Sequence, residues 1–148
     1  MIVVDAAANI GLYSLIASSH IGIKGKVFSF EPSKVTFQRL IDNIKLNQFS
    51  NIIPTNIGLG DKINEKLNLQ QEIGNGDAER YVIYYNENIN KNIENANKII
   101  FTEEICINTL DDSLKNMNIQ RIDFMKIDTE GFEYFILKGA MEIFKNSP

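Results

Sequence analysis

Three carboxylates stand where short apolar runs end. Ile2-Val3-Val4 leads into Asp5, Lys26-Val27-Phe28-Ser29-Phe30 into Glu31, and Ile122-Asp123-Phe124-Met125-Lys126-Ile127 into Asp128. If the runs are parallel strands, the acids share the C-terminal edge of one sheet, where open α/β sheets bind ligands. The turn after the first run, Ala6-Ala7-Ala8-Asn9-Ile10-Gly11, is built from small residues that let backbone amides approach a ligand. Glu31 follows Gly11 by twenty residues, the place from which an acid accepts hydrogen bonds from two ribose hydroxyls. The pattern points to a nucleoside-bearing cofactor. A dinucleotide fingerprint would put glycine at positions 7, 9 and 12, where this chain has Ala, Asn and Leu, and no Gly-Lys-Ser/Thr phosphate loop occurs. S-adenosylmethionine needs neither device, and its sulfonium suits an acidic rim. The expected cofactor-binding residues are therefore Asp5, Ala7, Ala8, Asn9, Gly11 and Glu31, with Asp61 near the adenine and no metal.

The elements that must position these residues alternate between strand and helix, the pattern of a parallel sheet with crossover helices. A helix over Leu12 to about Ser19 is predicted from Leu12, Leu15 and Ile16. A second follows Pro32, with Ser33 as N-cap, Phe37, Leu40, Ile41 and Ile44 on one face and Asn47 at its end. Ile52 through Ile57 reads as a third strand, stopped by Gly58 and Gly60. Residues 62–107 read as a hairpin-like insertion. In it Lys66–Leu69 is an edge strand, Arg80–Tyr85 and Ile99–Ile107 are strands, and Asn86–Lys98 is an Asn-rich mobile loop. Thr109-Leu110-Asp111-Asp112 fits a capping box, so a helix starts there. The fourth core strand ends at Asp128, and one final helix spans Gly131 to Lys145.

Composition narrows the classes. The 148 residues suffice for one domain with its own core. A net charge of −4 argues against a nucleic-acid footprint, which needs a basic surface. The single Cys106 excludes an internal disulfide, and it reads as a core residue; with one histidine there is no His/Cys cluster for zinc. No apolar run approaches the roughly 20 residues of a membrane helix. No basic leader precedes Ile2-Val3-Val4, so a cytoplasmic location is expected.

Several motifs then resemble one family. Val4-Asp5-Ala6-Ala7-Ala8-Asn9-Ile10-Gly11-Leu12-Tyr13-Ser14-Leu15 is similar to the opening motif of the FkbM-type S-adenosylmethionine-dependent methyltransferases. Gly25-Lys26-Val27-Phe28-Ser29-Phe30-Glu31-Pro32 resembles their second-strand motif. Ile122 through Glu133, followed by Leu137-Lys138-Gly139-Ala140, resembles a third. Asn43-x-x-x-Asn47 and Thr109-Leu110-Asp111-Asp112 also fit, and the order is the family's. The resemblance implies an α/β, Rossmann-like class I methyltransferase fold and O-methylation of a hydroxyl on a sugar or small metabolite. Two departures stand out: the family usually has Gly where this chain has Ala7, and the chain stops after the fourth core strand and its helix. A truncated copy lacking the C-terminal strands is expected, with Phe124, Met125 and Ile127 on an edge that favours self-association.

For methyl transfer to a hydroxyl, Asp128 is the first candidate for general base and Glu130 the second. Lys126 shares the Asp128 face at strand period and would tune that acid or orient a substrate. Asp5 would order the turn and, directly or through water, the methionine ammonium. Residues 62–107 would cover the acceptor. An alternative from another class is a catalytically inactive remnant or interaction module that keeps the fold; a nicotinamide oxidoreductase is disfavoured by the missing glycines. Blander readings accompany several residues: Asp111 and Asp112 as caps, Glu133 as a complement to the last helix dipole, and His20 as a helix-end charge.

Overall fold

The computed structural model describes residues 1–73, 79–84, 100–129 and 131–148. Four parallel strands form the central sheet in the order β3-β2-β1-β8: β1 Ile2–Ala6, β2 Lys26–Phe30, β3 Ile52–Thr55 and β8 Phe124–Ile127. Helices α1 (Leu12–Ile21) and α2 (Lys34–Leu46) connect β1 to β2 and β2 to β3. The chain thus steps outward from β1 in one direction and returns to its other side with β8. The crevice between the C-terminal ends of β1 and β8 is a topological switch point, the location that α/β sheets use for ligands. The α/β, Rossmann-like expectation is met.

Strand alternation divides the core. Val3 and Val27 pack with Ala8, Leu40, Ile44 and Ile52 under α1 and α2. Val4, Ala6, Phe28 and Phe30 point the other way. They join Leu59, Leu67, Leu69, Ile105 and Ile107 of a second sheet, and Leu110, Leu114, Ile136 and Ile143 of the C-terminal helices. That second sheet runs β4-β7-β5-β6, from β4 Gly58–Leu59, β5 Glu65–Ile73, β6 Glu79–Tyr84 and β7 Ile100–Asn108. Leu67 and Leu69 on β5, and Ile105 and Ile107 on β7, face inward at period two.

Several elements differ from the sequence reading. Lys66–Leu69 is only partly at an edge: β5 lies between β7 and β6, and Asn68 and Leu69 pair on both sides while Lys66 and Leu67 pair with β7. The third strand stops at Thr55, where Ile57 N donates back to Thr55 O at 3.0 Å and the chain crosses into the second sheet. Cys106 is exposed, since it alternates with buried Ile105 and Ile107. The last helix is two: α4 Glu133–Lys138 and α5 Met141–Lys145 follow α3 Leu110–Asn116. The break comes where Gly139 crosses Gly60, so closely that a Cβ there would lie 1.9 Å from the Gly60 carbonyl oxygen. The Asn86–Lys98 stretch lies outside the described residues. On α1, the residues buried against the sheet are Ser14 and Ser18, whereas Leu12 is 59% exposed and Ile16 also faces outward.

Candidate cofactor and active site

Strand register assembles the polar centre. Asp5 lies opposite Ser29 on β2 and Lys126 on β8, so the three side chains form a row across the sheet. All point to the α1 face, where Ser14 meets them. Ser14 Oγ donates to Asp5 Oδ2 at 2.6 Å and lies 2.7 Å from Ser29 Oγ. The Lys126 ammonium forms an ion pair with Asp5 Oδ1 at 3.3 Å and donates to the Ala7 carbonyl at 3.1 Å. It also lies 5.0 Å from the centre of the Tyr13 ring, a cation–π distance. Asp5 is 1% exposed, and a buried carboxylate needs such partners.

The turn after β1 is pinned to the end of β2. Ala8 N donates to Phe30 O at 2.9 Å, and Asn9 N donates to Glu31 Oε2 at 2.9 Å. Ser33 N donates to Glu31 Oε1 at 3.0 Å, while the Ser33 hydroxyl caps α2. Asn43 of α2 donates from Nδ2 to Ile10 O at 2.8 Å and ties the far side of the turn. Asn56 Nδ2 donates to the carbonyls of Glu31 and Pro32 and holds the segment bearing the acid. The turn is tight enough that Ala7 and Asn9 adopt φ of 53° and 52°. Gly11, at φ 96°, sits against α2, where a Cβ would come 2.5 Å from Leu40 Cδ1.

Glu31 is 6% exposed, and burial pushes its carboxyl up to about 7. The N–H groups of Ser33 and Asn9 oppose that rise; the charges of Asp5 and Glu103 add to it. Each Glu31 oxygen accepts one backbone N–H, so lone-pair capacity remains on both. At the end of β8, Asp128 is exposed. The loop after it is closed by Glu133, whose carboxylate accepts from Thr129 N at 3.1 Å and Gly131 N at 3.0 Å. Its own N–H and that of Gly131 hold the Glu133 carboxyl below the usual range.

These parts surround a cavity of about 410 Å³, within the roughly 300–1,000 Å³ of small-molecule sites. Ala7, Ala8, Asn9, Tyr13, Glu31, Lys126 and Asp128 form its polar side and β1 turn. Leu59, Leu69, Phe132 and Ile136 form an apolar wall. Of the residues expected from the sequence, Ala7, Ala8, Asn9, Glu31, Lys126 and Asp128 come together here. Asp5 and Gly11 lie behind the lining: Asp5 is covered by Ser14 and Lys126, and Gly11 is used in helix packing. Lys126 bonds to Asp5 and Ala7 instead of tuning Asp128, because strand register sets it beside Asp5. Asp61 does not line the cavity. Its carboxylate accepts from Lys138 at 2.7 Å, and that ammonium holds the Asp61 carboxyl below its ordinary range. Glu130 lies outside the described residues. Among the described residues no group of His, Cys, Asp and Glu could hold a metal ion. Sequence reasoning missed the structural parts played by Ser14, Tyr13 and Asn56. Of the turn's supports, Asn43 alone had left a trace, in the spacing Asn43-x-x-x-Asn47.

A parallel sheet with crossover helices and a cavity at its switch point define an α/β protein of the Rossmann-like type. The family model for the methyltransferase FkbM domain matches residues 5–147, and the chain belongs to that family. It is a methyltransferase by family. No curated protein matches the chain. No helix among the described residues is long and apolar enough to cross a membrane.

Proposed function

We propose that the chain binds S-adenosylmethionine and O-methylates a hydroxyl of a sugar or small metabolite. The observation that carries this reading is Glu31. It is a buried carboxylate on the cavity wall, fixed by two backbone N–H groups yet with acceptor capacity on both oxygens, as a ribose diol requires. The Ala6-Ala7-Ala8 run of the turn beside it leaves room for the nucleoside, and the residues present fit the cofactor.

When bound, the cofactor supplies a methyl group on a positively charged sulfur. An acceptor hydroxyl would have to lose its proton on being methylated. Asp128, exposed on the cavity wall, takes that proton. Glu130 is the second candidate for the role. Most of the acceleration comes from holding the two reactants in line and in contact. The apolar wall of Leu59, Leu69 and Phe132 excludes water from that contact. Residues 62–107 contribute β5 and Leu69 to the wall, which supports their role as an acceptor-side cover.

A second reading, a fold kept without turnover, draws on Ala7. Its left-handed backbone suits the glycine usual in the family. Calorimetric titration with S-adenosylhomocysteine separates the two. Saturable binding that is lost in Glu31→Ala supports the enzyme; absence of heat and of any thermal shift at millimolar ligand supports the remnant.

A further inference from the structure

Lys126 is the one cationic side chain among the described residues that line the cavity. Its ammonium is anchored from behind by the Asp5 carboxylate at 3.3 Å and from the side by the Ala7 carbonyl at 3.1 Å. Asp5 is itself fixed by Ser14. An ammonium carries three N–H donors; the Ala7 carbonyl takes one, Asp5 is met as an ion pair and the Tyr13 ring lies 5.0 Å away, which leaves donor capacity for a ligand. The buried Asp5 is thus separated from the cavity by Ser14 and Lys126.

We infer that Lys126, positioned by Asp5, binds the carboxylate of the cofactor's amino-acid tail. The inference rests on the S-adenosylmethionine reading and deepens it. Glu31 and the turn after β1 would serve the adenosine end, which leaves the β8 side of the cavity, where Lys126 stands, for the tail. The cavity then matches its ligand in charge, with a carboxylate for the ribose hydroxyls and a cation for the anionic end of the tail. Asp5 acts through Lys126 as a positioning residue.

The test compares three ligands by calorimetry on the full chain: S-adenosylhomocysteine, its analogue lacking only the carboxylate, and 5′-methylthioadenosine, which lacks the tail. A charge-assisted hydrogen bond of this type corresponds to roughly a tenfold or greater difference in affinity. Wild type should bind the decarboxylated analogue at least about tenfold more weakly than S-adenosylhomocysteine. In Lys126→Met that difference should disappear, while 5′-methylthioadenosine binds within about twofold of wild type; Lys126→Arg should restore part of it. Equal losses for all three ligands would mean that Lys126 only supports the turn, and would overturn the inference. So would a wild type indifferent to the carboxylate, a comparison that needs no variant to fold. Failure of wild type to bind any of the three would instead overturn the cofactor reading itself, and the inference with it.

Discussion

Burial holds the Glu31 carboxyl at about 7, against 4.5 when solvated, and that shift has two measurable consequences. The native state keeps a proton that the unfolded chain releases. This group's contribution to stability is therefore greatest below pH 4.5 and is lost as pH rises to about 7, with an amplitude of about 3 kcal/mol. The difference between wild type and Glu31→Gln in urea unfolding should trace that fall and level off above pH 7. Ribose hydroxyls are best accepted by the ionised acid, so affinity for S-adenosylhomocysteine should run the opposite way. It should rise roughly tenfold per unit up to about pH 7 and then flatten, while Glu31→Gln shows no such slope. Ala7 is a second residue with a defined cost. An L-residue in the left-handed region is strained by about 1 kcal/mol, and Ala7→Gly should raise unfolding stability by about that amount less the extra freedom gained by the unfolded chain. A loss of stability would show that the Ala7 methyl makes contacts worth more than the strain. The Glu31 position was legible because a strand-ending acid before Pro32 is a local pattern. The partnership of Asp5 with Lys126 was not, because it depends on the register between β1 and β8, which no local pattern carries.

At the scale of elements, the sheet strands and the caps of α2 and α3 followed from local chemistry. Ser33 and Thr109 accept from Thr36 N and Asp112 N as N-caps should. The reciprocal half of the Thr109 box is not made, since the Asp112 carboxylate accepts from Asn108 and Asn116 instead. The apolar spacing of α1 does not show which of its faces is buried. Its apolar residues repeat at helical spacing, but the sheet beneath presents Asp5 and Ser29, so the helix buries Ser14 and Ser18 and turns Leu12 outward. The division of the last helix was equally invisible, because it depends on the distant Gly60 backbone. Asp111 makes that division stable. It belongs to α3, yet its two oxygens accept from Glu142 N at 2.9 Å and Ile143 N at 2.8 Å, capping α5, which has no cap of its own. Asp111→Ala should lower unfolding stability by about 1–2 kcal/mol, and Asp111→Asn by less, because the amide still offers an acceptor. Equal losses in the two variants would assign the effect to charge rather than to capping.

At the scale of the whole molecule, β8 is an outer strand of the central sheet among the described residues. Among the described residues β8 pairs with β1 alone, so its outer row of backbone N–H and C=O groups has no strand beside it. The same strand carries Phe124, which is 56% exposed, and the partly buried Met125 and Ile127. An apolar edge with open hydrogen-bonding groups is a template for another strand. Lys126 cannot serve as an edge charge, because Asp5 and Ala7 hold its ammonium on the face of the sheet. We propose that two copies of this chain meet along β8. Sedimentation velocity should show an average mass that rises with concentration, and Phe124→Lys should move the population toward monomer. The substituted residue lies at the start of the strand, opposite Val3 and away from the cavity lining. Binding of S-adenosylhomocysteine should therefore be unchanged in the variant, which separates loss of association from loss of fold. A wild type that stays monomeric at high concentration would place the chain's solubility in something other than a covered edge, and the proposed pairing would fall.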